Sequence, residues 1–397
     1  MGLTMDFDEV ISPFSRGQFF NEYWNQKFHH FVGRKGRFGD LLTWDDLNSI
    51  LKHSRLGTPL FRLSQGGQGV PEDHYTSLGW GNVPRIDFGR LVSCLANGAT
   101  LVLGCVEELS PRVQMLSESF CDALHSGNYV NLYAGWHSQN GSDLHWDSQD
   151  IVVLQLAGRK RWQIFPPTRE APLQGDTDTP PRPTGKPAWD GLLEEGAALY
   201  LPRGWWHIAF PINEPSLHLT IGTVPPNGLD LLNWAVLQLR DHLGVRQDLP
   251  MIGLRDSQVQ RISALRKALN EMLDDDSVAR FWALWEAQTR ARASIKLPGA
   301  PYEQHRPLKA NSRVRLASSH RLSFIFNDTN AEFKAFGKLY GLPRYLSSSL
   351  ELLSDRHSIA FCDLAKVLSN TSHIDELRRA LSVLARAGVV HLEDVEP

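Results

Sequence analysis

Tyr129-Val-Asn-Leu-Tyr133, His145-Trp-Asp147 and Ile151-Val-Val-Leu-Gln-Leu156 together form the stretch of this 397-residue chain that decides its fold. The first segment alternates like a half-buried strand, and the last is a continuous apolar run typical of a fully buried strand. Gly158 then provides a turn, and the segment from Arg159 to Phe165 returns as another strand. Strands joined in this way predict a small antiparallel barrel.

His145 and Asp147 carry the first sign of chemistry. Because strand side chains alternate, two residues that are two apart point to the same face. His207 follows about sixty residues later, after a strand-like run and a turn at Pro202-Arg-Gly204. Two imidazoles and one carboxylate on one face of a metal are the usual ligands of non-haem Fe(II) oxygenases. The pattern predicts a metal site, although the same ligands also accept Mn, Ni or Zn.

Lys160 is the residue that could anchor a co-substrate. A 2-oxo acid that chelates iron needs a fixed cation for its far carboxylate, and Lys160 could return to the barrel interior beyond the Gly158 turn. Arg159, Lys160 and Arg161 could instead be a solvated turn. Alternation places at least one of the three on the surface.

Other polar side chains on the strands are further candidates. Asn131 and Tyr133 are two apart and could face inward as amide and phenol donors. His218 and Thr220 lie on the strand after His207 and have less support from the pattern. The remaining histidines near the site, His125 and His137, are expected at the surface or in ordinary packing.

The composition describes an ordinary globular protein, with 42% hydrophobic and 21% charged residues. A net charge near −3 gives no general reason to expect binding to nucleic acid or to an anionic membrane. The four cysteines show no C-x-x-C spacing, which favours reduced thiols in a cytoplasmic protein. The sequence shows neither a signal peptide nor an apolar run of about eighteen residues, so no membrane span is expected.

We expect three regions along the chain. Residues 1–225 hold the strands and form a catalytic domain. Residues 226–298 are strongly helical with apolar residues at three- and four-residue spacing, which favours a dimer contact or packing on the barrel itself. Residues 299–397 resemble a winged helix, and their balanced charge favours a structural or protein-recognition module over DNA binding.

The predicted elements outside the central strands are as follows. Helices are expected at Phe14–His29, Thr43–His53, Ser110–His125, Leu229–Leu243, Ser257–Ile295, Leu350–Ser354, Ile359–Leu368 and Ile374–Ala387. Strands are expected at Thr100–Cys105, Arg313–Leu316, Leu322–Phe326 and Gly388–Glu393. Residues Pro166–Asp190 are too long for a simple connection and are expected to be a lid or substrate-facing loop, or else plain disorder.

The motifs together resemble the JmjC ribosomal oxygenases of the cupin-like superfamily. The resemblance rests on these segments: Asn131-x-Tyr133, His145-x-Asp147, Gln155-Leu-x-Gly-x-Lys160-x-Trp162, Leu199-Tyr-Leu-Pro-Arg-Gly204, His207 and Leu217-His-Leu-Thr220. Phe19-Phe-Asn-Glu-Tyr-Trp24 and Gly98-Ala-Thr-Leu-Val-Leu103 extend it towards the N-terminus. It therefore covers nearly the whole chain.

The resemblance implies an α+β fold in which a double-stranded β-helix (jelly-roll) catalytic domain precedes a helical dimerisation region and a winged-helix-like C-terminal domain. It implies a dioxygenase that uses Fe(II), 2-oxoglutarate and O₂ to hydroxylate the β-carbon of arginine or histidine in a ribosomal protein. His145, Asp147 and His207 match the iron ligands, and Lys160 matches the residue for the distal carboxylate of 2-oxoglutarate. The positions of Asn131, Tyr133 and Thr220 match residues near the co-substrate. A homodimer is implied.

The chain departs from the family pattern where substrate would enter. Trp146 and the pair Trp205-Trp206 are bulkier than is common there, and Ser148-Gln149 replaces a more acidic stretch. The reaction class is therefore better supported than the substrate, and three alternatives stay open. These are a hydroxylase of a natural-product precursor peptide, a JmjC N-methyl demethylase, and a non-catalytic cupin-like binding protein.

Overall fold

The structure, a computed structural model, describes residues 5–53, 55–79, 81, 83–137, 141–176, 180–288, 308–318, 322, 324–336, 338–356, 358–368 and 370–393. The chain divides into two compact units, Met1–Val224 and Pro225–Pro397. The predicted catalytic domain ends one residue further on, at residue 225. The predicted boundary between residues 298 and 299 lies outside the described residues.

The first unit contains the strands that the sequence motifs indicated. Its helices are α1 (Phe7–Ile11), α2 (Arg16–Glu22), α3 (Trp44–His53), α4 (Phe88–Ala96) and α5 (Pro111–Leu124). Its strands are β1 (His29–Phe31), β2 (Phe61–Gln65), β3 (Gln68–Gly69), β4 (Thr76–Leu78), β5 (Pro84–Ile86), β6 (Thr100–Leu103), β7 (Asn128–Gly135), β8 (Asp150–Ala157), β9 (Lys160–Phe165), β10 (Trp189–Leu193), β11 (Ala198–Leu201), β12 (Trp206–Pro211) and β13 (Ser216–Thr223).

Two antiparallel sheets of this unit share a core. The larger has the order β1-β11-β8-β13-β7-β6-β2-β3, and the smaller has the order β10-β9-β12. The side chains of successive β8 residues point to opposite faces of the larger sheet. Ile151 and Val153 pack with Trp162 of the smaller sheet, whereas Val152 and Leu154 belong to the core beside the N-terminal helices. The continuous apolar run is therefore explained by burial on both faces, as predicted.

Helix ends in the first unit follow local capping. Thr43 and Asp46 exchange hydrogen bonds at the start of α3, with the Asp46 amide donating to Thr43 Oγ1 at 3.1 Å and the Thr43 amide donating to Asp46 Oδ2 at 2.9 Å. Pro111 occupies the first turn of α5, where its missing N–H costs nothing. The predicted helices Thr43–His53 and Ser110–His125 are confirmed to within one residue at each end.

The single helix predicted over Phe14–His29 is wrong. The helix there is α2, which ends at Glu22, and His29–Phe31 is strand β1, paired antiparallel with β11. Asn25 has a φ of 58°, in the left-handed region, which redirects the chain between them. Pairing with β11 thus overrides the helical pattern at the end of this segment.

The second unit begins with helices. They are α6 (Gly228–Gln238), α7 (Leu243–Arg246), α8 (Arg255–Met272) and α9 (Ser277–Gln288). The continuous helix predicted over Ser257–Ile295 is wrong, because Asp274 Oδ1 accepts hydrogen bonds from the Asp276 amide and the Ser277 hydroxyl and so starts a new helix. The rest of that predicted helix, residues 289–295, lies outside the described residues.

The remainder of the second unit mixes short strands and helices. The helices are Ser347–Arg356, Phe361–Ala365 and Thr371–Arg386. The strands Ser358–Ala360, Arg313–Leu316 and Val390–Glu393 form one sheet, and Phe324–Phe326, Asn330–Ala335 and Lys338–Pro343 form another. The last two strands were not predicted from the sequence, and the predicted helix Ile359–Leu368 is wrong at its start, because Ile359 and Ala360 belong to the strand Ser358–Ala360. Among the described residues, no helix is both long and apolar enough to cross a membrane.

Candidate metal centre

His145, Asp147 and His207 come together at the edge of the smaller sheet. His207 lies on β12, and its amide donates to the carbonyl of His145 at 2.7 Å, while the His145 amide donates back to the carbonyl of His207 at 3.2 Å. The two ring centroids are 4.4 Å apart, and His207 Nε2 lies 3.6 Å from Asp147 Oδ2. One candidate ligand atom from each of the three residues lies within 4.8 Å of the others.

Both imidazoles are held in the same way. His145 Nδ1 lies 2.7 Å from the carbonyl of Asp143, and His207 Nδ1 lies 3.0 Å from the carbonyl of Trp205. A carbonyl oxygen can only accept, so each Nδ1 carries the proton and each Nε2 keeps a free lone pair. Hydrogen bonds of this kind orient metal-binding histidines and raise their basicity.

His207 is neutral in this setting. Burial, followed by the neighbouring His145, lowers its pKa to about 4, and Asp147 opposes that shift. A neutral imidazole is the form that binds a metal ion.

Gly204 brings the chain into position beside Asp147. Its amide donates to the carbonyl of Asp147 at 2.9 Å. Its φ of 84° lies in the left-handed region, and a Cβ there would come within 2.8 Å of the carbonyl oxygen of Arg169. A glycine is therefore required at this turn, which lies three residues before His207 and sets the direction of the chain that carries it.

The seven residues that the sequence assigned to the metal or the co-substrate all line one cavity of about 110 Å³. They are His145, Asp147, His207, Asn131, Tyr133, Lys160 and Thr220. In the ladder between β7 and β13, Asn131 lies opposite Thr220, and Tyr133 lies opposite His218. The register of two paired strands thus places four polar side chains on one wall of the cavity.

Lys160 is inside the barrel and its two neighbours are outside. Lys160 is only 4% exposed, and it has no hydrogen-bond or ion-pair partner among the described residues. Arg159 pairs with Glu214 and Arg161 pairs with Asp190 at the surface. Burial alone lowers the pKa of Lys160 to about 7. An unpaired buried ammonium facing a cavity is suited to an anionic ligand.

His218, one of the weaker candidates in the sequence, lines the same cavity, and so do Tyr129 and Trp162, for which the sequence predicted no role. The Tyr129 hydroxyl donates to Gln149 Oε1, two residues after Asp147. Burial and the nearby Asp147 carboxylate both raise the pKa of Tyr129, so its phenol stays protonated. The signal that could have found Tyr129 is alternation, because it lies two residues before Asn131 on the same face of β7.

Two residues of the long segment between β9 and β10 contact residues close to His145 and His207. Trp206 Nε1, next to His207, donates to Thr168 Oγ1 at 2.9 Å. Arg182 pairs with Asp143 at 3.0 Å, two residues before His145. These contacts place Thr168 and Arg182 next to the two histidine-bearing segments.

Comparison with known proteins agrees with the motifs. The family model of the JmjC domain matches residues 108–231. The chain is 37% identical over 227 residues to the "bifunctional lysine-specific demethylase and histidyl-hydroxylase NO66" of Drosophila persimilis, covering 54% of this chain and 31% of that protein. It is 27% identical over 264 residues to ribosomal oxygenase 1 of Gallus gallus, covering 62% and 42%. The chain spans less than half the length of these curated relatives.

Among solved structures, the chain is similar to YcfD of Escherichia coli, with a TM-score of 0.61 and 17% identity over 96% of this chain and 99% of that one. A further YcfD structure, described as a ribosomal oxygenase in complex with cobalt and 2-oxoglutarate, gives a TM-score of 0.60. The predicted resemblance to JmjC ribosomal oxygenases is confirmed. The fold is confirmed as JmjC cupin-like with mixed helices and strands.

Proposed function

We propose that this chain, a JmjC-domain protein related to the ribosomal oxygenases, is an Fe(II)- and 2-oxoglutarate-dependent dioxygenase that hydroxylates a side chain of a protein substrate. The observation that carries the proposal is one cavity lined both by the His145, Asp147 and His207 cluster and by the unpaired ammonium of Lys160. The first group suits a metal and the second suits an anionic co-substrate.

The donor set fits Fe(II). Two imidazole nitrogens and one carboxylate oxygen on one side leave positions open for further ligands. The Nδ1 atoms of both histidines are already hydrogen-bonded to backbone carbonyls, so Nε2 of each is available without rearrangement. His145, Asp147 and His207 would hold the metal.

Lys160 fits the distal carboxylate of 2-oxoglutarate. A buried charge is stable only when it is paired, and no described residue pairs with Lys160. Asn131, Tyr133 and Thr220, on the adjoining wall, offer amide and hydroxyl donors for the same ligand.

When bound, Fe(II) and 2-oxoglutarate would activate dioxygen for insertion of one oxygen atom into a substrate C–H bond. The residues of the chain supply binding, orientation and exclusion of water. Trp162, 4% exposed, lies between His207 and His218 with ring centroids 5.9 Å and 6.0 Å away, and it closes the inner side of the cavity. Tyr129 keeps its proton near Asp147 and donates it in a hydrogen bond to Gln149 Oε1.

The proposed substrate is a ribosomal protein, and the proposed target atom is the β-carbon of an arginine or a histidine. The names of the relatives in Drosophila persimilis and Gallus gallus support this choice. The test is mass spectrometry of ribosomal proteins and of whole-cell extract after incubation with the Fe(II)-loaded protein and 2-oxoglutarate. We expect one protein to gain one oxygen atom, with an equal amount of succinate.

Other products would identify the alternatives. Release of formaldehyde with loss of a methyl group would show an N-methyl demethylase, and oxidation confined to a small precursor peptide would show a natural-product hydroxylase. A protein that neither binds 2-oxoglutarate nor converts it would be a non-catalytic binding protein, and the proposal would then be wrong.

Binding of 2-oxoglutarate is expected to take up a proton above pH 7. The pKa of Lys160 is about 7 in the free protein, so the amine is largely neutral at pH 8 and must be protonated to pair with a carboxylate. We expect uptake of nearly one proton at pH 8, little uptake at pH 6, and affinity that falls up to tenfold per unit above pH 7. Calorimetry in two buffers of different ionisation enthalpy measures the uptake, and its persistence in Lys160→Met would contradict this role.

The second unit is proposed to form a homodimer through its helical region, residues 226–298. Apolar side chains on and between α6 and α8 face solvent, among them Val236, Met251 and the fully exposed Ile252. The double change Met251→Asp with Ile252→Asp is expected to convert a dimer to a monomer in sedimentation velocity. Val32→Asp, at an exposed apolar residue of the first unit, is the control; a wild-type monomer would contradict the proposal.

The remaining expectations concern the C-terminal residues and the compartment. We propose that residues 299–397 are a winged-helix-like module for structure or protein recognition, with no nucleic acid and no membrane as partner. Cys94, Cys105, Cys121 and Cys362 all lie in the part of the chain that the structure describes and form no disulfide there. We propose a cytoplasmic location, where thiols stay reduced.

A further inference from the structure

His218 is a second buried nitrogen base in the cavity. It is 4% exposed, it lines the cavity together with Lys160, and its Nδ1 is buried without a hydrogen-bond partner. Buried polar side chains are normally hydrogen-bonded, so an unpartnered one requires an explanation.

The ring of His218 is held in a fixed plane. It stacks on Tyr133, with centroids 4.9 Å apart and planes at 8°, and the edge of Trp162 approaches it at 6.0 Å. Tyr133 lies directly opposite it on β7. These contacts leave the imidazole little freedom to turn away from the cavity.

Lys160 is the charged group that affects the pKa of His218. Burial, and then the charge of Lys160, lower the pKa of His218 well below its ordinary value, so the imidazole is neutral and carries one N–H donor. Lys160 and His218 are therefore two nitrogen donors of one small cavity, which Asn131 and Trp162 also line, and Asp147 is the one carboxylate among the residues that line it.

We propose that His218 donates a ring N–H to the distal carboxylate of the 2-oxo acid, beside the ammonium of Lys160, and thereby selects a dicarboxylate co-substrate. A carboxylate offers two oxygens and about four acceptor positions, enough for both donors at once. Lys160 supplies charge, and His218 supplies a directed hydrogen bond from a ring fixed by Tyr133. This role rests on the proposed function and adds a residue that the family motif had not assigned.

The test compares two ligands on two variants. His218→Phe keeps a ring that can stack on Tyr133 and removes both nitrogens, whereas His218→Gln keeps an N–H donor. Calorimetry under anaerobic conditions measures the binding of 2-oxoglutarate and of 2-oxopentanoate, which lacks the distal carboxylate, to the Fe(II)-loaded protein. We expect His218→Phe to lower the affinity for 2-oxoglutarate about tenfold to a hundredfold, since a hydrogen bond to a charged group is lost. The affinity for 2-oxopentanoate should not change. His218→Gln should retain part of the preference.

The outcomes separate the two proposals. His218 would only pack in the core if both variants lowered the affinities for 2-oxoglutarate and 2-oxopentanoate equally, or if neither affinity changed. Either result would overturn this inference alone. Failure of the wild-type protein to bind 2-oxoglutarate would overturn the proposed function as well. Thermal unfolding of the metal-free variants checks that the fold is kept.

Discussion

Asp147→Ala is expected to remove metal-dependent turnover of 2-oxoglutarate and to weaken Fe(II) binding by more than about a hundredfold. Removing a residue that only hydrogen-bonds to a metal ligand lowers metal affinity roughly tenfold to a hundredfold. Removing a ligand itself should lower the affinity further. Asp147 is the most informative of the three positions, because its side chain is 34% exposed and its removal leaves no large hole in the core.

The measurements for Asp147→Ala are anaerobic Fe(II) titration and succinate formation. Asp190→Ala is the matched control, since Asp190 is a carboxylate of the smaller sheet that pairs with Arg161 at the surface. Its metal binding should equal that of the wild-type protein. Full activity of Asp147→Ala would mean that the metal, if any, is bound elsewhere.

Lys160→Met is expected to weaken 2-oxoglutarate binding by about a hundredfold to a thousandfold while Fe(II) binding is retained. The methionine fills a similar volume, but the distal carboxylate would be buried without a cationic partner, which costs roughly 3–4 kcal/mol. Arg161→Met is the control, because Arg161 is adjacent in sequence and lies on the outer face. Equal affinity in the wild type and Lys160→Met would contradict the assignment.

The same variant is expected to make the metal-free protein more stable. In the folded state the pKa of Lys160 is about 7, below its ordinary value of 10.5, so the unfolded chain binds the proton more tightly. The resulting destabilisation is fully present below pH 7 and disappears as the pH rises towards 10.5. We expect Lys160→Met to raise the free energy of unfolding by about 2–4 kcal/mol at pH 6, and by less at pH 9. A stability gain that does not change with pH would point to packing alone.

The barrel and the cluster of His145, Asp147 and His207 could be predicted because local pattern and chemistry agree there. The run Ile151–Leu156 is apolar on both faces, and Gly158 reverses the chain. The spacing of His145 and Asp147 indicated the cluster, although the strand expected there is only an isolated bridge at His145, which pairs with His207 near the start of β12. The run, the glycine and the spacing can each be identified within a few residues of sequence.

The features that were missed depend on contacts distant in sequence. His29–Phe31 is a strand because it pairs with β11, about 170 residues away. His218 was only a weaker candidate, because its place opposite Tyr133 depends on the register of β13 against β7. The break between α8 and α9 was missed for a different reason. The run Asp274–Asp276 contains a capping signal that the apolar periodicity obscured.

The most direct test is anaerobic calorimetry of 2-oxoglutarate binding to the wild-type protein with and without Fe(II), and to Fe(II)-loaded Asp147→Ala and Lys160→Met. We expect tight binding to the Fe(II)-loaded wild type alone, because the cavity joins the cluster of His145, Asp147 and His207 to the ammonium of Lys160. Binding that is independent of the metal and equal in both variants would contradict the site.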